Sequence, residues 1–483
     1  MSQFPAVDIK AKVLSGLRWT ISARFASQLI SWMATIFVIR LLNPEDYGLL
    51  AMATVFISFL VLLNTLGLDA PLVQKKDLTE EERRRIFGVI IVANLTIFTG
   101  LFLSAPFIAA FFDEPSLTAI VRVLSTTFLI DIFMTLPLAT LDREIAFKHR
   151  SIIEFVTTIV SSLFTLVLAY YGFGVWSLVY GSLLSHLLKT IGLNLIAPCW
   201  CKPDFSLTGL KSLFLFGSFV TLERGLWHIH SESDKLIGGR IMGADLLGYF
   251  AVASHLASFP IQKLSSLIQS IAFPAFSKAK QITDKTGVYF LKASQVASVI
   301  TFPVFLGISC TAPELVKIFL GEKWEPAILP LQILVLVMPF RALGNIITPL
   351  LWGIGMPRVS ATNLLIAAIV MPIAFLIGSQ WGPVGLSLCW VLVFPFIYLV
   401  YLIRTCPLIG IKTSDCLKTI TGPMISSILM YLCVISINPY LFGSSGDIPH
   451  LMQLIAIGAV TYLSVMLAFF RNDLLTALNS LRN

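Results

Sequence analysis

Residues 221–235 read TLERGLWHIHSESDK and follow the apolar run Leu213–Val220. Two glutamates, an arginine, two histidines, an aspartate and a lysine crowd this stretch, in a chain that is otherwise strongly apolar. The segment either crosses a bilayer as a helix or lies at its surface, and the sidedness of every later loop depends on which. Loop charge decides it. With 213–238 crossing, the basic loop SKAKQITDK (277–285) falls on the same side as the other basic loops. With it lying flat, that loop moves to the opposite side, against the preference of Lys and Arg for the cytoplasm. The charged stretch therefore crosses, and its ionisable groups need an environment other than lipid.

Working outward, apolar runs recur along all 483 residues, many near the ~20 residues that span a bilayer as helix. Hydrophobic residues make up 57% and charged residues 12%, with a mean hydropathy of +0.87. This predicts an all-α membrane protein with about fourteen transmembrane helices, punctuated by turn sequences such as NPEDYG, DEPS, GFG, MGAD, GMP and WGP. A transmembrane barrel would show short alternating segments instead. With the N-terminus in the cytoplasm, twenty-three Lys and Arg fall on the cytoplasmic side and four on the other, which predicts both termini inside. The net charge of +8 is accounted for by those loops, and no basic extramembrane domain is present to hold nucleic acid. Seven scattered cysteines show neither a disulfide framework nor metal-site spacing. No cofactor motif is found, and without a substantial loop domain the chain is not expected to be an enzyme.

The chain also repeats itself. NPEDYGLLAMA (43–53) aligns with GADLLGYFAVA (243–253), pairing Gly48 with Gly248, Ala51 with Ala251 and Ala53 with Ala253. At the same offset Arg24 meets Arg224 and Arg40 meets Arg240, and SAPFIAAFF (104–112) later resembles TAPELVKIF (311–319). Several matches in one order point to duplication. Six helices separate the copies, so the repeats are parallel, an arrangement many transporters use. The predicted organisation is a six-helix lobe over 1–205, a second over 206–410, and an extra two-helix segment over 411–483.

Arg224, His228, Ser231 and Lys235 fall on one helical face. Arg24, Gln28, Ser31 and Thr35 have the same spacing in the first helix, and Gln262 belongs to a polar face of the eighth. Such groups are expected to face a watery cavity between the halves, with Arg24, Arg224 and Lys235 making it cationic. The planar fork of arginine suits phosphate. The candidate binding set is Arg24, Gln28, Arg224, His228, Lys235 and Gln262. Glu223 and Asp234 stand close enough in sequence to pair with the cations or to carry a coupling ion, and Asp131 in the fourth helix is a further ion-coupling candidate.

LLNPEDYGLLAMATVFISFLVLLNTLGLDAPLVQKKDLTEEE, FKHRSIIEFV, GFGVWSLVYG and DKLIGGRIMGADLLGYFAVA resemble bacterial polysaccharide flippases of the Wzx/polysaccharide transporter family, especially the colanic-acid exporter branch, within the multidrug/oligosaccharidyl-lipid/polysaccharide exporter (MOP) superfamily. The resemblance covers nearly the whole chain. It implies two six-helix lobes that work by alternating access in the bacterial inner membrane. It also implies a substrate of undecaprenyl-diphosphate-linked oligosaccharide, with membrane lipids and glycan polymerase or export machinery as partners. The related branch that moves murein precursors uses arginines near its first helix, and SARFASQ matches it at Arg24 only. Two other readings remain open: a drug/cation antiporter on the same scaffold, for which an acidic or aromatic cavity is expected, and a membrane polymerase or ligase of lipid-linked glycans, for which a large catalytic loop is expected.

Overall fold

The computed structural model describes residues 30–65, 67, 72, 79–144, 147–199, 201–206, 211–282, 286–441 and 447–482, with 147, 211–220, 262–282 and 478–482 described by backbone alone. The chain is all-α over these residues and divides into two compact units, Met1–His228 and Ile229–Asn483. Among the described residues nine helical stretches have the length and hydropathy of a membrane span, or ten if one bent pair is counted as a span. Two of the nine contain a break of their own. Thr221–Ile261 turns at Gly243 (φ 78°, ψ 179°), within the predicted MGAD turn, and Pro357–Ile409 contains the helices Pro357–Gly378 and Gly382–Thr405 joined by a single 3-10 turn. The protein is a multi-pass membrane protein.

In the first unit the helices are α1 (Ile30–Leu41), α2 (Pro44–Val61), α3 (Glu80–Phe112), α4 (Leu117–Ser125), α5 (Thr127–Asp131), α6 (Thr135–Arg143), α7 (Phe147–Tyr170) and α8 (Val175–Ile196). The helix α9 (Lys211–Ile282) follows. The start of α3 is set by local chemistry. Thr79 Oγ1 accepts from the Glu82 N–H and Glu82 Oε2 accepts from the Thr79 N–H, both at 3.2 Å, a reciprocal cap that satisfies two otherwise orphaned donors. In the loop after α8, the Ser206 backbone N–H and the Arg85 guanidinium both donate to Asp204, and they hold its carboxyl below the usual carboxylate range.

The NPEDYG motif has a similar role at longer range. Asp46 Oδ2 accepts from the Asn43 N–H at 2.9 Å, and Asp46 Oδ1 accepts from the Val175 N–H at 2.7 Å. One carboxylate thus caps the N-termini of α2 and α8, where a negative charge also meets the positive ends of both helices. Gly174, at φ 54°, leaves room for it, since a Cβ there would come within 2.9 Å of Asp46 Oδ1. Beneath this latch Val38, Leu42 and Ala169 pack with Tyr47, Leu166 and Leu178. Asp46→Ala is expected to cost about 2 kcal/mol, as two caps are lost together. Thermal unfolding in detergent is the check: a melting temperature unchanged from wild type removes the latch from the stability of the unit.

The fourth predicted helix, the one that carries Asp131, is broken. The α4–α5 segment and α6 form a pair bent by 48°. The cause is Pro137, which has no N–H to give to the Phe133 carbonyl one turn earlier. Asn194 of α8 supplies the missing donor, with Nδ2 at 2.8 Å from Phe133 O. Thr126 and Thr127 bond back to Val123 O and Leu124 O and Thr135 to Asp131 O, and beyond the break Thr140 bonds back to Leu136 O, so hydroxyls occupy carbonyls on both sides of it. Arg150 of α7 then clamps α6 through Asp142 at 2.6 Å.

The second unit contains α10 (Thr286–Leu315), a π-helical turn Val316–Leu320, a 3-10 segment Glu322–Ala327, α11 (Ile328–Gly353), α12 (Pro357–Gly378), α13 (Gly382–Thr405), α14 (Thr413–Ile437), α15 (Ile448–Phe469) and α16 (Arg471–Arg482). The helix α10 packs against α11 on one side and α14 on the other, and α11 and α12 both pack on α13. Small residues permit the close approach of α12 and α13: a Cβ on Gly378 would sit 2.7 Å from the Gly385 carbonyl oxygen. The interior is aromatic, with Phe302, Phe305, Phe375 and Trp390 buried.

Candidate functional site

The span Thr221–Ile261 carries the polar stripe read from the sequence, and its side chains have distinct surroundings. In the first unit Arg224 is exposed and Glu223 is buried. His228 is also buried. Its Nε2 lies 3.1 Å from the Val55 carbonyl and its ring 5.6 Å from that of Phe59, which ties it to α2. Arg24 and Gln28 lie outside the described residues, and so does the side chain of Gln262.

In the second unit the same span turns a cluster inward. Lys235 is half buried and donates to Glu232 Oε2 at 2.6 Å. Asp234, only 1% exposed, accepts from Trp390 Nε1 at 2.9 Å and from the Lys235 N–H at 2.7 Å. The Arg341 guanidinium of α11 lies 4.2 Å from the centre of the Trp390 ring. His230, also buried, stacks on Phe394 and meets the same indole edge-on at 5.3 Å. Trp390 therefore joins an acid on one edge to a cation on one face, and an ionisable cluster that lipid could not hold is held within protein. Trp390 was not singled out by sequence reasoning. A tryptophan in an apolar run has no signature, and only the fold brings α13 against residues 230–234.

Asp131 is buried at the break in the fourth span, its side chain 3% exposed, and Oδ1 lies 2.8 Å from His186 Nδ1. His186 also escaped sequence reasoning, although His186, Thr190 and Asn194 recur every four residues along α8 and the signal was present. Asp131 and Asp234 lie in different units, and each has its own partners. Among the described residues no three His, Cys, Asp or Glu side chains come together as a metal ligand set.

A helical membrane chain with charge gathered inside it fits several transporter classes, and comparison with known proteins narrows them. The model of the family described as polysaccharide biosynthesis protein matches residues 37–329, more than half of the sequence. The chain belongs to that family. Among its relatives is the lipopolysaccharide biosynthesis protein WzxC of Escherichia coli K12, 24% identical over 390 residues, covering 80% of this chain and 79% of that protein. The succinoglycan biosynthesis transport protein ExoT of Rhizobium meliloti is 24% identical over 492 residues, covering 99% of this chain and 97% of that one. Among solved structures, the lipid II flippase MurJ in an inward closed conformation superposes with a TM-score of 0.77 at 15% identity, over 94% of this chain and 99% of that one. At that identity the likeness concerns the fold. The family match covers α2 through the 3-10 segment before α11, so both the Asp46 latch and the charged span lie within it.

Proposed function

We propose that this protein is a Wzx-type flippase of the MOP superfamily. It moves undecaprenyl-diphosphate-linked oligosaccharide repeat units across the bacterial inner membrane by alternating access. The observation that carries the reading is the charged span Thr221–Ile261 in a chain of the polysaccharide biosynthesis family. Ionisable groups in a membrane helix serve a polar cargo or an ion, and a diphosphate-linked sugar needs cations for its phosphates and hydroxyl and amide partners for its sugars. ExoT, matched over almost its full length, is a biosynthesis transport protein by name, which favours transport over polymerisation.

On this reading the fourteen helices form two six-helix lobes over 1–205 and 206–410 and an extra pair over 411–483, with both termini cytoplasmic. Arg24, Arg224 and Lys235 meet the diphosphate, with Gln28, His228 and Gln262 as polar lining. Lys235 exchanges Glu232 for the substrate as it does so. Glycan polymerase and export components act on the product. A drug/cation antiporter is the second reading, and the cationic stripe argues against it. The test is deletion in the native host, in a background without redundant flippases. A complete lipid-linked repeat unit is expected to accumulate in the cytoplasmic leaflet, and plasmid-borne protein is expected to restore surface glycan. Normal surface glycan in the deletion strain overturns the proposal.

A further inference from the structure

Asp131 and His186 form a pair for which the proposed substrate path has no use. We propose that this pair is a proton-binding site in the broken fourth span, and that the proton it exchanges drives the conformational cycle of transport; the second half of the statement rests on the reading given under Proposed function.

Three observations carry it. First, the carboxylate is enclosed and the imidazole is not: the Asp131 side chain is 3% exposed and that of His186 34%. His186 Nδ1 faces Asp131 Oδ1 at 2.8 Å, which leaves Nε2 as the atom that gains or loses the proton. Second, the charged side chains of the elements packed on α8 lie at helix ends: α7 carries Lys148, His149, Arg150 and Glu154 in its first two turns, with Arg150 paired to Asp142 and Glu154, α6 carries Asp142 and Arg143 in its last turn, and α2 carries Glu45 and Asp46 in its first. The helix α3, which packs on α5, has no ionisable side chain between residues 86 and 112. The helix α4 contributes Arg122, whose guanidinium lies over the Phe102 ring at 4.9 Å. The helix α8 contributes Lys189, half buried and three residues beyond His186. Third, the pair sits at a hinge. Asp131 ends α5, its carbonyl accepts from Thr135 across the break, and Asn194, two turns from His186 on α8, holds Phe133 O. Interrupted membrane helices are where transporters place ion sites.

A cleft lined by Ile132, Phe133, Pro137 and Asn194, with Cys199 and Cys201 on its wall, adjoins the break. From Asn194 the polar stripe continues through Thr190, whose buried Oγ1 has no hydrogen-bond partner, to His186.

The proton balance is simple. With a carboxylate and a neutral imidazole the pair carries one net negative charge. When Nε2 takes a proton, the pair becomes a carboxylate and an imidazolium with no net charge, and the Nδ1–H···Oδ1 bond persists throughout. A net charge inside the membrane favours an opened, hydrated break, whereas the neutral pair favours a closed one. Proton occupancy thereby biases a two-state hinge.

The experiment uses the full chain, labelled with ¹⁵N-histidine in lipid nanodiscs, with the His186 signal assigned by its loss in His186→Gln. Histidine is the side chain that ordinarily changes charge between about pH 5 and 8. The protonation of the two ring nitrogens is followed across that range in the wild type and in Asp131→Asn, and the proposal expects it to change with pH in the wild type and to respond to loss of the carboxylate partner. A His186 ring that does not change across that range, or that behaves identically in Asp131→Asn, overturns the proton site. In the deletion strain, Asp131→Asn and His186→Gln at wild-type abundance are expected to lower export about tenfold or more, a barrier change of ~1.4 kcal/mol or above. Export that keeps the wild-type level and pH response overturns the coupling role while leaving the flippase reading intact. If the wild type itself fails to restore export, the flippase reading and the coupling role fall together, and the ring-nitrogen signals alone decide whether the pair binds a proton.

Discussion

Replacing Trp390 with phenylalanine is expected to destabilise the second unit by about 2–3 kcal/mol, although the side chain keeps most of its volume. The indole N–H is the side-chain donor to Asp234, a carboxylate only 1% exposed. Removing it leaves a buried charge with the Lys235 backbone N–H and less else, and an unsatisfied buried acceptor costs about 1–3 kcal/mol. The ring face also holds Arg341, and tryptophan is the strongest of the aromatic partners for a cation. Thermal unfolding of the detergent-solubilised protein reads the loss, with Trp381→Phe as the control. Trp381 is 66% exposed, so that variant is expected to stay within about 0.5 kcal/mol of wild type. A cycle with Arg341→Met separates the two contributions: the penalty of Trp390→Phe is expected to shrink in the Arg341→Met background by the share owed to the guanidinium. Equal penalties in both backgrounds would remove the Arg341 contact, and equal melting points for the Trp381 and Trp390 variants would remove the whole acid–indole–cation chain, from the stability of the unit.

That chain marks the boundary of what could be read from the sequence. Membrane helices are legible because lipid forces a long, uniform apolar run, and NPEDYG and GFG are legible as turns because their residues have fixed backbone preferences. The charged span 221–235 was legible as membrane-crossing because loop charge argued for a crossing, and Thr221–Ile261 has the length and hydropathy of a span. Pairing across helices follows a different rule. Asp234 reads as a partner for Lys235 when only neighbours are visible, whereas in the fold its side chain accepts from Trp390, 156 residues away. Lys235 takes Glu232 instead. Asp131 was visible as an intramembrane carboxylate, but its partner lies 55 residues on, in a helix whose polar residues are spaced among leucines. The break beside it came from Pro137, whose missing N–H was legible. That Asn194, 61 residues on, donates to the freed Phe133 carbonyl was not legible. Local chemistry was thus readable wherever partners are close in sequence, and long-range polar pairs were not.

Arg224 is where the flippase reading is most exposed to test, because its position is legible in the sequence and its role is a proposal. The side chain is exposed on a span whose following turns bury His228, His230 and Asp234. An arginine that bonds two phosphate oxygens contributes about 1.5–3 kcal/mol through charge-assisted hydrogen bonds. Arg224→Ala is therefore expected to lower export about tenfold to a hundredfold at equal membrane abundance, read as surface glycan in the deletion strain. Arg224→Lys keeps the charge but loses the fork, so it is expected to fall between the two. Arg240, exposed on the same span near the Gly243 break, serves as the comparison, and Arg240→Ala is expected to export within about twofold of wild type, the range of an ordinary surface change. The pattern matters more than any single value. A loss in Ala that Lys restores fully assigns Arg224 to the charge of the path rather than to a two-oxygen contact. Equal losses at Arg224 and Arg240 point to the positive field of the span as a whole. Full export by Arg224→Ala removes this residue from contact with the diphosphate.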